Sequence, residues 1–140
     1  MSRTSLLLLL SLVSANALAY NLEVRSDSPL VTESELRGMV KTNGDAVRHN
    51  IPETQDVYVY VITRAKPRDN DPSKYIFFHR AELRRHFTSG DPYTFNGWLP
   101  IKQEEFYGVD DANGVKASLE STLRRFFSEV KNLNVNVKVK

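Results

Sequence analysis

The chain has 140 residues, 41% of them hydrophobic and 26% charged, with a formal net charge of +2 and no cysteine. That is one domain's worth of chain, long enough for its own core. The missing cysteine excludes disulfide scaffolds, thiol catalysis and cysteine-ligated zinc.

The first element is a leader. MSRTSLLLLLSLVSANALAY has a basic residue, Arg3, an apolar run from Leu6 to Val13, and an Ala17-Leu18-Ala19 cleavage pattern, the three parts of a secretory signal. The run is shorter than the roughly 20 apolar residues a spanning helix needs. Residues 1–19 are therefore expected to be removed, leaving residues 20–140 as a single secreted domain, with no membrane insertion after cleavage and with the option of acting inside another cell. Charge is uneven along this domain. Between Arg64 and His86 seven basic residues outnumber Asp69, Asp71 and Glu82, whereas Glu104, Glu105, Asp110 and Asp111 form an acidic block. Such stretches read as a solvated mixed-sign surface before they read as a nucleic-acid groove.

Asn21–Ser26 alternates Leu22 and Val24 with polar residues, as a short strand does, and Ser28-Pro29 breaks it. Thr32 and Glu35 then have capping-box spacing, with Val31 placed to staple onto Leu36. Leu36, Met39, Val40 and Val47 continue a helical face, which Asn43-Gly44 weakens. DVYVYVITRA, residues 56–65, is a strand with Val57, Val59 and Val61 on one side and Tyr58, Tyr60 and Ile62 on the other. A turn at KPRDNDPSK leads to YIFFH as its antiparallel partner. AELRRHF reads as a short helix, and Asn96-Gly97 as a two-residue hairpin turn between Phe95 and Trp98. Val115, Leu119, Leu123, Phe126, Phe127 and Val130 make the stripe of a final helix, led by Asp110 and Asp111 as the helix dipole prefers. Arg125 and Glu129 have the spacing of a pair along it. LNVNVKVK closes the chain as a one-sided strand with edge lysines. The expected architecture is α+β: one domain with an antiparallel sheet in the βαββαβ ferredoxin-like order, interrupted by a helix-hairpin insertion over residues 81–111.

Two functions fit these residues. The first is a non-enzymatic interaction protein, effector- or inhibitor-like, that binds a protein of another cell. A sheet with helices on one side leaves the other face open, which makes Tyr58, Tyr60, Tyr93 and Trp98 candidate contacts. The second is a metal-independent ribonuclease. Such chemistry needs an acid, a base and a cation at the phosphate; His79, Glu82, His86 and Arg85 are the candidate set, and His49, Arg80 and Arg84 are further residues of the required types. Nucleic acid is a partner only under this second reading. HRAELRRH lacks the i,i+4 histidine spacing of a helical zinc site, so no metal or other cofactor is implied. KYIFFH lacks the small residues of an RNA-recognition signature. No nucleophile elbow or phosphate-binding loop occurs.

Overall fold

A computed structural model describes residues 21–45, 47, 57–89 and 95–133. Its elements are β1 (Asn21–Asp27), α1 (Glu33–Gly44), β2 (Val57–Arg68), β3 (Asp71–Ser89), β4 (Phe95–Asp110) and α2 (Ala112–Val130). The strands form one sheet in the order β1-β2-β3-β4. β1 runs parallel to β2, whereas β2–β3 and β3–β4 are antiparallel. The protein is thus a compact α+β domain with a mixed sheet and two helices, and the sheet is not purely antiparallel. The parallel pair follows from its connection, since two parallel strands need a crossover and α1 supplies it.

α1 starts where its cap dictates. Thr32 Oγ1 accepts from the Glu35 amide at 3.2 Å, and Glu35 Oε2 accepts from the Thr32 amide at 2.7 Å. The bonds that the Glu35 carboxyl accepts from the Thr32 amide and hydroxyl hold it below its ordinary range. Val31 and Leu36 are both buried beside the cap. Thr32→Ala is expected to cost about 1 kcal/mol, read as a lower urea midpoint with an unchanged slope.

α2 buries Val115, Leu119, Leu123, Phe126, Phe127 and Val130, the stripe its 3.6-residue period predicts. Asp111 caps it by accepting from the Gly114 amide at 2.9 Å. Arg125 and Glu129 do not pair with each other. Arg125 Nε donates to Glu104 at 3.1 Å and Glu129 meets Lys102, so both reach across to β4. The core lies between the helices and one face of the sheet, where Val57, Val59, Val61, Ala81 and Leu83 meet Leu36, Val40, Leu123 and Phe126.

The region 81–111 departs from expectation. AELRRHF is not a helix; it continues β3, with Ala81 opposite Val61 and Leu83 opposite Val59. The segment fits both periods, and strand wins because Ala81 and Leu83 extend the buried stripe while Glu82, Arg84 and His86 alternate onto the other face, which leaves Arg85 as the one charge of the segment on the helix side. Asn96-Gly97 is not a turn either: both residues lie inside β4, opposite Thr88 and Phe87. The strands on either side of that dipeptide pair with β3 and not with each other. Residues 95–110 are one long strand with a register shift opposite Leu83 and Arg84. No helix-hairpin insertion exists in 81–89 or 95–111. A ferredoxin-like order splits the strands joined by the first helix, but here β1 lies directly against β2. The turn at Asp91-Pro92 and the strand read into 133–140 fall outside the described residues, apart from Leu133, which packs against the core.

Candidate functional site

Strand alternation sends Tyr58, Tyr60 and Ile62 of β2 to the face that bears no helix. Register then puts Arg84 beside Tyr58, Glu82 beside Tyr60, and Arg80 beside Ile62. On β4 the matching positions are Trp98, Gln103, Glu105 and Tyr107, and on β1 they are Asn21, Glu23 and Arg25.

Among the described residues no helix covers this face, yet Tyr58, Ile62 and Glu82 are all buried, Glu82 to 4% exposure. Their cover is other side chains of the same face. The Arg84 guanidinium lies 4.0 Å from the Tyr60 ring centre and 5.7 Å from that of Tyr58, within cation–π range. It donates to Tyr58 Oη at 2.9 Å and is paired with Glu82 through Nε. Burial works against the Arg84 charge, but the bonds to Glu82 and Tyr58 outweigh it and hold its pKa above the ordinary arginine value. Arg80 reaches Glu82 at 3.5 Å and Glu105 at 3.1 Å, and sits 5.0 Å over Phe78. Two arginines thus close over one buried carboxylate. Trp98 stands edge-on to Tyr58 at 4.3 Å and to His86 at 4.9 Å. With Asn21, Leu22, Glu23 and Tyr58 it lines a cleft of about 400 Å³, within the range of small-ligand sites.

His79 is on the other face, fully buried beneath α2. Thr63 Oγ1 lies 2.9 Å from its Nδ1, while Val115 O and Ser118 Oγ lie 3.1 and 3.0 Å from its Nε2. A carbonyl only accepts, so the proton belongs on Nε2, and Nδ1 accepts from the Thr63 hydroxyl. Burial pushes the ring's pKa down to about 4, against hydrogen bonds to the backbone of Val115 and Phe78 that act the other way. A serine and a threonine flanking a histidine resemble a nucleophile, base and orienting group. The protons are in the wrong places for that chemistry. Ser118 Oγ donates to Val115 O at 2.8 Å, the Nε2 that would take its proton already carries one, and the ring is fully buried. His79 ties α2 to the sheet.

The four residues of the hydrolase reading do not converge. Along β3, His79 and Arg85 share the helix side, and Glu82 and His86 share the open side. At about 3.3 Å per residue, His86 is roughly 23 Å along the strand from His79 and roughly 13 Å from Glu82. Of the four interaction residues, Tyr58, Tyr60 and Trp98 lie together on the open face, and Tyr93 falls outside the described residues. The sequence reading placed Arg80 and Arg84 only among the cations of the hydrolase reading, not as the side chains that close this face, and it missed Thr63 and Ser118, which hold His79. Thr63 had a signal: it continues the odd-numbered, inward series of Val57, Val59 and Val61. Among the described residues no group of three or more His, Cys, Asp or Glu side chains is placed to hold a metal, and no helix is long and apolar enough to cross a membrane.

No protein-family model matches this chain, and no curated protein does. Among solved structures, a protein from Caulobacter crescentus CB15 described as a candidate lipoprotein overlaps 79% of this chain and 82% of its own, at 14% identity and a TM-score of 0.23. A likeness that slight bears on neither fold nor function.

Proposed function

We propose that the mature chain is a small secreted interaction protein without enzymatic activity, an effector or inhibitor that docks its open sheet face on a protein of another cell. The observation that carries this reading is the distribution of exposed apolar surface on that face. Its centre is closed by Arg80, Arg84 and Tyr60, while Tyr107, Ile76 and Val109 at one end remain 76%, 55% and 52% exposed, and Trp98 at the other end 43%. Ile76 is the cross-strand neighbour of Val109, and Phe78 that of Tyr107. Arg64, Lys66 and Glu105 rim that end. Large aromatic and aliphatic side chains ringed by charge are the composition of a contact surface. A secretory leader and the absence of cysteine are consistent with a protein that works outside the cell that makes it or within another.

The test is equilibrium binding of the labelled mature protein to intact target cells, with Tyr107→Ala and Trp98→Ala compared against Glu120→Ala on the exposed side of α2. Saturable binding weakened about tenfold to a hundredfold by a face variant and left unchanged by Glu120→Ala is the expected result. Binding that no face variant alters, or that never saturates, would count against the proposal.

A further inference from the structure

Among the described residues seven large apolar side chains stay exposed, and six of them lie on β4: Trp98, Leu99, Ile101, Phe106, Tyr107 and Val109. The seventh, Ile76, is the cross-strand neighbour of Val109. β4 is the last strand in the sheet order, so its outer row of backbone groups has no strand beside it among the described residues. Proteins normally blunt such an edge with proline, a bulge or charge. Here Pro100 and the register shift at Ile101 blunt the first half, and the second half relies on charge alone, at Lys102, Glu104, Glu105 and Asp110. Lys102–Asp110 is regular and unbroken by proline, and between its charges it exposes apolar side chains on both faces, Phe106 on the helix side and Tyr107 and Val109 on the other.

We propose that this half of β4 is a self-association edge: a second copy of the chain pairs antiparallel along Lys102–Asp110, joining two four-stranded sheets into one. This goes beyond the open-face reading and does not depend on it. The charges select the register. Two-fold pairing sets residues of like face opposite one another. Centred on Glu104 or Glu105 it would bring two carboxylates together, and centred on Tyr107 it would set Glu104 against Asp110. Centres at or before Gln103 run into Pro100 and the bulge. Centred on Phe106 it sets Lys102 opposite Asp110 at both ends, Gln103 opposite Val109, Glu104 opposite Gly108 and Glu105 opposite Tyr107. In that register no like charges meet. Lys102 already holds Glu129, and Lys74 lies 3.9 Å from Asp110, so these charges choose the register and supply little affinity. The driving force is the backbone ladder and the cover given to apolar side chains. Phe106, 41% exposed with Arg125 5.9 Å from its ring, meets its own copy in the groove between the two α2 helices.

The chain's lack of cysteine makes the register directly testable. Directly opposed residues have Cα atoms roughly 4.5–5.5 Å apart, within disulfide reach. Phe106→Cys in the mature protein is therefore expected to give mostly disulfide-linked dimer on mild oxidation. Gln103→Cys, whose copies lie far apart in this register, is expected to remain mostly uncrosslinked. Sedimentation equilibrium should find a dimer for the unsubstituted protein, and Phe106→Lys, which opposes two cations, should raise its dissociation constant at least about tenfold. A monomer at the highest soluble concentration overturns the proposal, as does equal crosslinking at 103 and 106 or a dimer indifferent to Phe106→Lys. A monomer that dimerises only when the chain is cut after Leu133 also overturns it, because the edge then belongs to the chain's own residues 134–140. Phe106 is on the face opposite Tyr107 and Trp98, so failure here leaves the cell-binding result standing, and the reverse.

Discussion

The protein is expected to lose roughly 2 kcal/mol of stability between pH 7 and pH 5, and His79 is expected to account for the loss. Folded, the ring is neutral and buried with a pKa of about 4; unfolded, it returns to the ordinary 6.5. Between those values the unfolded chain holds a proton that the folded one does not, so stability rises with pH across the window. The ring's contribution is complete above pH 6.5, falls as the pH drops towards 4, and loses nothing more below that. Its full span is about 3 kcal/mol, from a difference of two to three pKa units. Neither Thr63 nor Ser118 carries a charge that would stabilise an imidazolium. The exposed carboxyls with lowered pKa, Glu35, Asp71 and Asp111, titrate below this window and do not confuse it. Urea unfolding at pH 7 and pH 5 measures the slope, and His79→Gln should flatten it whatever its cost at pH 7. A wild-type protein equally stable at both pH values, or a variant with the same slope, would mean that the ring is not held neutral beneath α2.

The same histidine shows why parts of the molecule were legible in the sequence and parts were not. β2 and α2 follow from period alone, because Val57, Val59 and Val61 alternate and the α2 stripe repeats every three to four residues. The start of α1 follows from the chemistry of Thr32 and Glu35 three residues apart. AELRRHF satisfies both periods, and the choice falls to partners distant in sequence: Val59 and Val61 on one side, β4 on the other. Asn96-Gly97 has the composition of a turn, but a turn forms only where the flanking strands pair with each other. Both strand misreadings thus come from long-range pairing overriding a local preference. The site behaves alike. That Tyr58 and Tyr60 share a face is local information. That Arg84 closes over them, or that His79 sits between Thr63 and Ser118, 16 and 39 residues away, requires the register of the sheet and the docking of α2.

The other large effect is expected at Glu82. A carboxylate 4% exposed on a face without a helix is tolerable only because Arg84 and Arg80 neutralise it there. Removing one partner of such a group leaves a charge desolvated and unpaired, which costs about 3–5 kcal/mol. Glu82→Leu should fall in that range, since it strands the largely covered Arg84. Arg84→Met should cost somewhat less, because Arg80 remains within 3.5 Å of the carboxylate. The double variant is the informative one. Leucine beside methionine keeps Tyr58 and Tyr60 covered by apolar atoms and asks for no paired charges, so it should recover most of the loss and could exceed wild-type stability by about 1 kcal/mol. A double-mutant cycle by urea unfolding reads the coupling; two mild, additive single variants would mean that the cluster is solvated. A stable double variant would also separate folding from recognition. If it loses binding to target cells while its stability is restored, the arginine-closed carboxylate is part of the contact surface. If binding persists, the contact lies at the exposed ends, with Tyr107 and Trp98, and the charges at the centre only close the face.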